Sequence, residues 1–228
     1  MKVAICTPTI SKPYPQYLDA LEASAAVLDA AGIEHQAVYK VGCPYISHAR
    51  SDLLRQAMDA GCDTFVFIDH DLSWRPHDLL TLIQTKGDVV AGTYRFKKTE
   101  VEYMATIQTD GDGRPKLRGD GRIRADKVPA GFLKVTISAV RHLMRSYPEL
   151  LYGDPERYSV DLFNHGAHKG VWWGEDYAFS RRWNDCGGEI WLIPDLGLDH
   201  HSATEDFPGN FHEFLMCQPG GSKHEVAQ

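Results

Sequence analysis

Thr64-Phe65-Val66-Phe67-Ile68-Asp69-His70-Asp71 runs from a short, continuously apolar core into two carboxylates separated by a histidine. Five residues of that character predict a strand buried on both faces, as in the interior of a parallel sheet. In open α/β sheets the ligand lies at the carboxyl ends of the strands, which is where Asp69 and Asp71 would fall. If the chain stays extended beyond Ile68, residues two apart point the same way and both carboxylates can meet one cation. The Asp-x-Asp pattern alone says little. With 20 Asp in 228 residues, about two such pairs are expected by chance. Two occur, and the second, Asp110/Asp112, sits in the Gly-rich stretch Thr109-Asp110-Gly111-Asp112-Gly113, where turn chemistry accounts for it. Position separates the two pairs.

Working outward, the flanks alternate strand and helix. Residues 2–6 read as a strand ending at a Thr7-Pro8-Thr9 turn, and residues 15–31 as a helix burying Leu18, Leu21, Ala25 and Leu28 before Gly32. Residues 35–40 read as a strand. Ser47 is the expected N-cap of a helix that buries Ala49, Leu53, Ala57 and Met58 and stops at Gly61. Pro76 sits near the start of a helix with Leu79, Leu80 and Ile83 inward, and Val89-Val90-Ala91-Gly92 is a further short strand. The first 95 residues are therefore expected to form a parallel, Rossmann-like nucleotide-binding half with right-handed crossovers. No G-x-G-x-x-G follows the first strand, which disfavours a dinucleotide dehydrogenase. Residues 96–218 are less regular, with helices expected at 138–146 and 175–186 and a strand at 189–193, and would form an acceptor half of the same domain. Residues 219–228, rich in Gly and polar side chains, read as a flexible tail.

The composition fits one globular α/β domain: 43% hydrophobic and 24% charged, net charge −7. That charge disfavours tight nonspecific binding to duplex nucleic acid, although Arg114, Lys116, Arg118, Arg122, Arg124 and Lys127 form one dense basic stretch. Neither a membrane span nor a signal peptide is expected. Five dispersed cysteines without a C-x-x-C pair argue against a disulfide framework or thiolate zinc site and fit a reducing cytoplasm.

Several segments together resemble the GT-A-fold glycosyltransferases, of the family 2-like kind that carries a DxD motif. They are Ile46-Ser47-His48-Ala49-Arg50-Ser51-Asp52-Leu53-Leu54 ahead of the acidic strand, then Asp88 to Tyr94, Pro129-Ala130-Gly131-Phe132-Leu133, Trp173-Gly174-Glu175-Asp176-Tyr177 and Asp199-His200-His201, in the family's order across residues 2–205. The resemblance implies a three-layer α/β/α sandwich on a mixed, mainly parallel sheet, and transfer of a sugar from a nucleotide-diphosphate donor, UDP-sugar first among them. Carried over, Thr7, Pro8, Thr9, Arg50, Asp69, His70 and Asp71 would bind the donor. Asp69, Asp71 and His200 would hold Mn²⁺ or Mg²⁺, the imidazole favouring Mn²⁺. Glu175 and Asp176 would be the catalytic pair, with Asp176 the base if the reaction inverts, although carboxylates at a helix N-terminus are also stabilised by the helix dipole. Gly131, Phe132, Trp172 and Trp173 would face the acceptor, a glycan, protein, small molecule or hydroxylated DNA base. Tyr94, Arg95, Phe96 and Lys97 would touch donor or acceptor, or form a solvated face. Ser51 departs from the Asn frequent in related sequences. Two rival readings remain: a metal-dependent phosphoesterase, since Asp199-His200-His201 spells a DHH triplet, and an inactive relative that only binds nucleotide sugar or glycan.

Overall fold

The computed structural model describes residues 1–218; the tail expected at 219–228 lies outside the described residues. In chain order the strands are β1 (Lys2–Thr9), β2 (Glu34–Val41), β3 (Thr64–Ile68), β4 (Leu72–Trp74), β5 (Val89–Ala91), β6 (Thr106–Ile107), β7 (Ile123–Lys127), β8 (Phe132–Thr136), β9 (Leu151–Tyr152), β10 (Ser159–Val160), β11 (Gly166–His168), β12 (Val171–Trp173), β13 (Ile190–Leu192), β14 (Leu198–His201) and β15 (Asp206–Phe207). The helices are α1 (Pro15–Ala30), α2 (Ile46–Asp59), α3 (Pro76–Gln84), α4 (Ile137–Ser146), α5 (Glu175–Asp185) and α6 (Phe211–Met216).

Eight strands form the central sheet in the order β2-β1-β3-β8-β5-β13-β7-β6. The β1–β2, β1–β3 and β5–β13 pairs are parallel, whereas β8 and β7 run against their neighbours. The expected parallel half is thus interrupted: β8, from residues 132–136, inserts between β3 and β5. Local periodicity carries no information about such an insertion. Alternate residues of the strands feed two cores. Ala4, Cys6, Phe65, Phe67, Leu133 and Val135 pack with α2, α4 and α5 residues such as Leu53, Val140 and Phe179. Val3, Ile5, Val66, Ile68 and Phe132 pack with Tyr17, Leu28, Leu79 and Leu82 of α1 and α3. This is a sheet covered on both faces, a three-layer sandwich.

Four local expectations are corrected. β1 continues through Thr7-Pro8-Thr9 instead of turning there. Its pairing with β3 stops at Cys6 while that with β2 runs on to Thr9, so Pro8 sits where one side of the strand is free, a place proline tolerates. In α1 the inward positions are Tyr17, Ala20, Ser24 and Leu28, and Leu18 is 45% exposed. The inward face carries polar atoms that find partners there: Tyr17 Oη meets Thr7 Oγ1 at 2.5 Å, and Ser24 Oγ accepts from Trp74 Nε1 at 2.9 Å. An apolar periodicity passes over such residues. Ser47 lies inside α2, buried, and Tyr45 caps that helix without a side-chain hydrogen bond. Of the residues assigned inward, Leu80 and Met58 are only partly buried. Gly61, in the left-handed region at φ 76°, follows the end of α2 as expected.

Candidate active site

At the carboxyl end of β3 the backbone does not stay extended. Leu72 N–H donates to Asp69 O at 3.2 Å, closing a turn over residues 69–72 before β4 begins. The premise that Asp69 and Asp71 point together therefore fails, and the turn sends the two carboxylates to different partners.

Asp69 is tied to its neighbours by three hydrogen bonds. Arg50 Nη2 donates to its Oδ1 at 2.9 Å and Tyr94 Oη to its Oδ2 at 3.3 Å, while its N–H reaches Gly131 O at 3.0 Å. Arg50 comes from α2 and is only 1% exposed. Its guanidinium lies over the rings of Phe67 and Phe163 and is 3.6 Å from Glu175 Oε1. A buried cation needs such compensation, and here two carboxylates and two aromatic faces supply it. Arg50 is thus an interior hub that ties β3 to the start of α5, not an exposed arm. The close approach of β8 to this hub requires glycine: a Cβ on Gly131 would stand 2.1 Å from Tyr94 Oη and 2.5 Å from Asp69 Oδ2.

Asp71 is the more buried of the two, its side chain 16% exposed against 26% for Asp69. Lys97 Nζ lies 2.5 Å from its Oδ2, and His200 Nε2 lies 3.6 Å from the same atom, beyond hydrogen-bond distance. Burial alone would raise this carboxyl, but His200 and Lys97 together hold it well below the usual carboxylate range. β14 brings His200 here by pairing antiparallel with β4, His200 opposite Leu72. His200 Nδ1 donates to Arg95 O at 2.8 Å, which leaves Nε2 turned towards Asp71. That anchored tautomer is the arrangement seen in metal-ligating histidines. His201 is engaged elsewhere, with Asp206 Oδ1 at 2.6 Å and Ser73 Oγ at 2.8 Å. Alternation along β14 puts Asp199 and His201 on the face opposite His200, so the DHH triplet does not converge on one point.

Asp71 and His200 fit a divalent ion as two protein ligands, with substrate oxygens needed to complete its shell. Among the described residues no group of three His, Cys, Asp or Glu is arranged to hold a metal by itself.

Glu175 and Asp176 open α5 beside this cluster. Burial, then the neighbouring Glu175, push the Asp176 carboxyl up to about 6, against the pull of the Tyr177 N–H and Arg50. Pro8, Thr9, Arg50, Asp69, His70, Asp71 and Glu175 share the wall of one cavity of about 230 Å³. Thr7 is fully buried and bonded to Tyr17, so its hydroxyl is directed into the core. A second cleft of about 540 Å³ opens at the opposite strand ends, by Gly87 and Gly188.

The residues expected at the acceptor are divided. Phe132 is wholly buried and packs its ring on Trp74, 5.7 Å between centroids, so it presents no face to a ligand. Trp173 is half-buried between Lys127 and Arg181, at 5.0 and 5.5 Å from its ring. Trp172 is 71% exposed on the β11–β12 hairpin. Ser51 donates to Val160 O at 2.8 Å and pairs with Tyr152 Oη at 2.7 Å, a packing role that ties α2 to the β9–β10 ribbon. Sequence reading missed Phe163, whose ring packs edge to face on Phe67 and supplies the second aromatic contact to Arg50; nothing in its neighbourhood marks it. Of the segment 94–97, expected either at the site or on a solvated face, Tyr94 and Lys97 reach the carboxylates.

No protein-family sequence model matches the chain, and no curated protein matches it either. Solved structures do. A197 from STIV superposes with a TM-score of 0.52 at 14% identity, over 92% of this chain and 95% of that one. GalNAc-T7, solved with UDP, GalNAc and Mn²⁺, superposes with a TM-score of 0.50 at 10% identity, over 87% of this chain and 43% of that longer one. The chain has a GT-A-like fold. No helix among the described residues is long and apolar enough to cross a membrane.

Proposed function

We propose that this chain is a glycosyltransferase that moves a sugar from a nucleotide-diphosphate donor to an acceptor hydroxyl. The observation that carries the reading is the gathering of Asp69 and Asp71 from the β3–β4 turn, Glu175 and Asp176 from the start of α5, and His200 from β14 at one end of a GT-A-like sheet. In this reading residues 1–95 supply the donor half and 96–218 the acceptor half of one domain. Pro8, Thr9 and His70 line the nucleotide cavity, and UDP is the nucleotide we favour.

Sugar transfer builds negative charge on the departing diphosphate and releases a proton from the acceptor. Asp71 and His200 would hold Mn²⁺, or Mg²⁺ less well; when bound, the ion neutralises the leaving diphosphate as a Lewis acid. Asp69, fixed by Arg50 and Tyr94, orients the donor and keeps the Asp71 turn in place. Asp176, with a carboxyl pushed up to about 6, has the basicity to take the acceptor proton near neutral pH, which describes an inverting enzyme. Glu175, beside Arg50 and in the cavity wall, fixes the start of α5 and with it the position of the neighbouring Asp176. Trp172 offers an exposed aromatic face for an acceptor sugar or base. The free cysteines fit a reducing, cytoplasmic setting.

The test is release of nucleoside diphosphate from UDP-, GDP- and dTDP-sugars with Mn²⁺ and with EDTA, with phosphodiester hydrolysis followed in parallel. Metal-stimulated release from one donor is expected. Phosphodiester cleavage without any nucleoside-diphosphate release would overturn the reading.

A further inference from the structure

Lys97 has no part in the functional reading so far, yet its ammonium occupies the most consequential corner of the site. The segment that follows β5 makes three contacts there. Tyr94 Oη reaches Asp69 Oδ2 at 3.3 Å, the Arg95 carbonyl fixes His200 through Nδ1 at 2.8 Å, and Lys97 Nζ sits 2.5 Å from Asp71 Oδ2. The oxygen that carries the ammonium is also the one His200 Nε2 approaches, at 3.6 Å. A divalent ion held between Asp71 and His200 would draw on that same oxygen, the one facing the imidazole, at roughly 2.0–2.2 Å for ions of this kind. An ammonium and a divalent cation cannot share one oxygen at such distances without strong mutual repulsion. Lys97 is itself about one-third exposed at its side chain, 31%, so its long stem is free to swing outward.

We propose that Lys97 is a built-in cation of this site. It and a divalent metal are alternative occupants of the Asp71–His200 corner, and the displaced ammonium is then taken up by the diphosphate of a bound nucleotide. The protein alone consequently binds metal weakly, and metal enters together with a nucleoside diphosphate, which offers Lys97 a new anionic partner. The first half of this proposal rests only on the geometry of Asp71, His200 and Lys97. The second half, concerning diphosphate, rests on the glycosyltransferase reading.

Mn²⁺ alone, titrated against the full chain and followed by the electron paramagnetic resonance signal of free Mn²⁺, separates the two halves. Lys97→Met is expected to bind Mn²⁺ about tenfold more tightly than the wild type, because the resident cation is gone. Lys97→Arg, which keeps the charge, should bind it as weakly as the wild type. Lys97→Gln serves in place of Lys97→Met if the latter fails to give a native circular dichroism spectrum. Equal or weaker Mn²⁺ binding by the neutral variant overturns the proposal. UDP titrated calorimetrically in saturating Mn²⁺, where the metal holds the Asp71–His200 corner in every variant, tests the second half: a loss of about fivefold or more in Lys97→Met supports it, and unchanged UDP affinity overturns it. If UDP binds no form of the protein, with or without Mn²⁺, the glycosyltransferase reading and the diphosphate half fall together, while the Mn²⁺ comparison still decides whether Lys97 holds the metal corner.

Discussion

Asp176, the base in the proposed reaction, would serve chemistry at the expense of stability. Its carboxyl, pushed up to about 6 by burial and by Glu175, titrates near 3.9 when the chain is unfolded. Between those values the folded protein binds the extra proton. The stability this confers is complete below about pH 4 and is lost as the pH rises through about 6. A shift of about two units sets an upper bound near 3 kcal/mol, and partial exposure reduces it to about 1–2 kcal/mol. Asp176→Asn is therefore expected to melt higher than the wild type at pH 7.5, with the difference shrinking towards pH 4 in calorimetric scans. Transfer should meanwhile fall by at least about 100-fold, and the wild-type rate should decline below about pH 6 while the residual rate of the variant does not. Gly131 sits at the same scale. A methyl group there meets Tyr94 Oη and Asp69 Oδ2 well inside contact distance, so Gly131→Ala should destabilise the fold by about 1–3 kcal/mol in urea titrations. It should also weaken nucleotide binding, since the displaced atoms belong to the Asp69 hub.

At the scale of elements, α4 illustrates a join remote from the chemistry. Thr136 ends β8 opposite Thr64, at the far end of the sheet from Asp69. Its hydroxyl accepts from Ala139 N–H at 3.3 Å and donates to Asp88 Oδ1 at 2.5 Å. Thr136→Ala should lose about 1 kcal/mol of stability, the usual value of an N-cap, with nucleotide affinity unchanged by calorimetry. The strand β3 was legible to the residue in its apolar run, because a strand buried on both faces has no other way to be written. Helix ends marked by glycine or proline, at Gly61 and Pro76, were legible for the same reason: each imposes a backbone constraint. What could not be read depends on partners distant in the chain. The inward Tyr17 and Ser24 of α1 are acceptable only because Thr7 and Trp74 meet them. The turn over residues 69–72 was missed because an extended chain and a turn use the same residues, and its outcome depends on β14, more than a hundred residues later.

For the whole molecule, the sequence order of motifs anticipated which segments meet, but not how the sheet is threaded. The insertion of β8 between β3 and β5 places Gly131 against Asp69 and makes the site a joint product of both halves of the chain. Arg50 then couples β3 to α5, and the β4–β14 pair couples Asp71 to His200. A ligand that bridges these elements should stabilise the fold as one unit, by an amount set by its concentration relative to its Kd. The most direct measurement is a thermal-shift series of the wild type and Asp71→Asn with UDP-, GDP-, CMP- and dTDP-sugars, each with and without Mn²⁺. A donor that raises the wild-type Tm by several degrees, more with Mn²⁺ than without, and loses the metal-dependent increment in Asp71→Asn, is the predicted result. The absence of any metal-dependent stabilisation by every donor, in a wild-type protein that unfolds cooperatively, would contradict it.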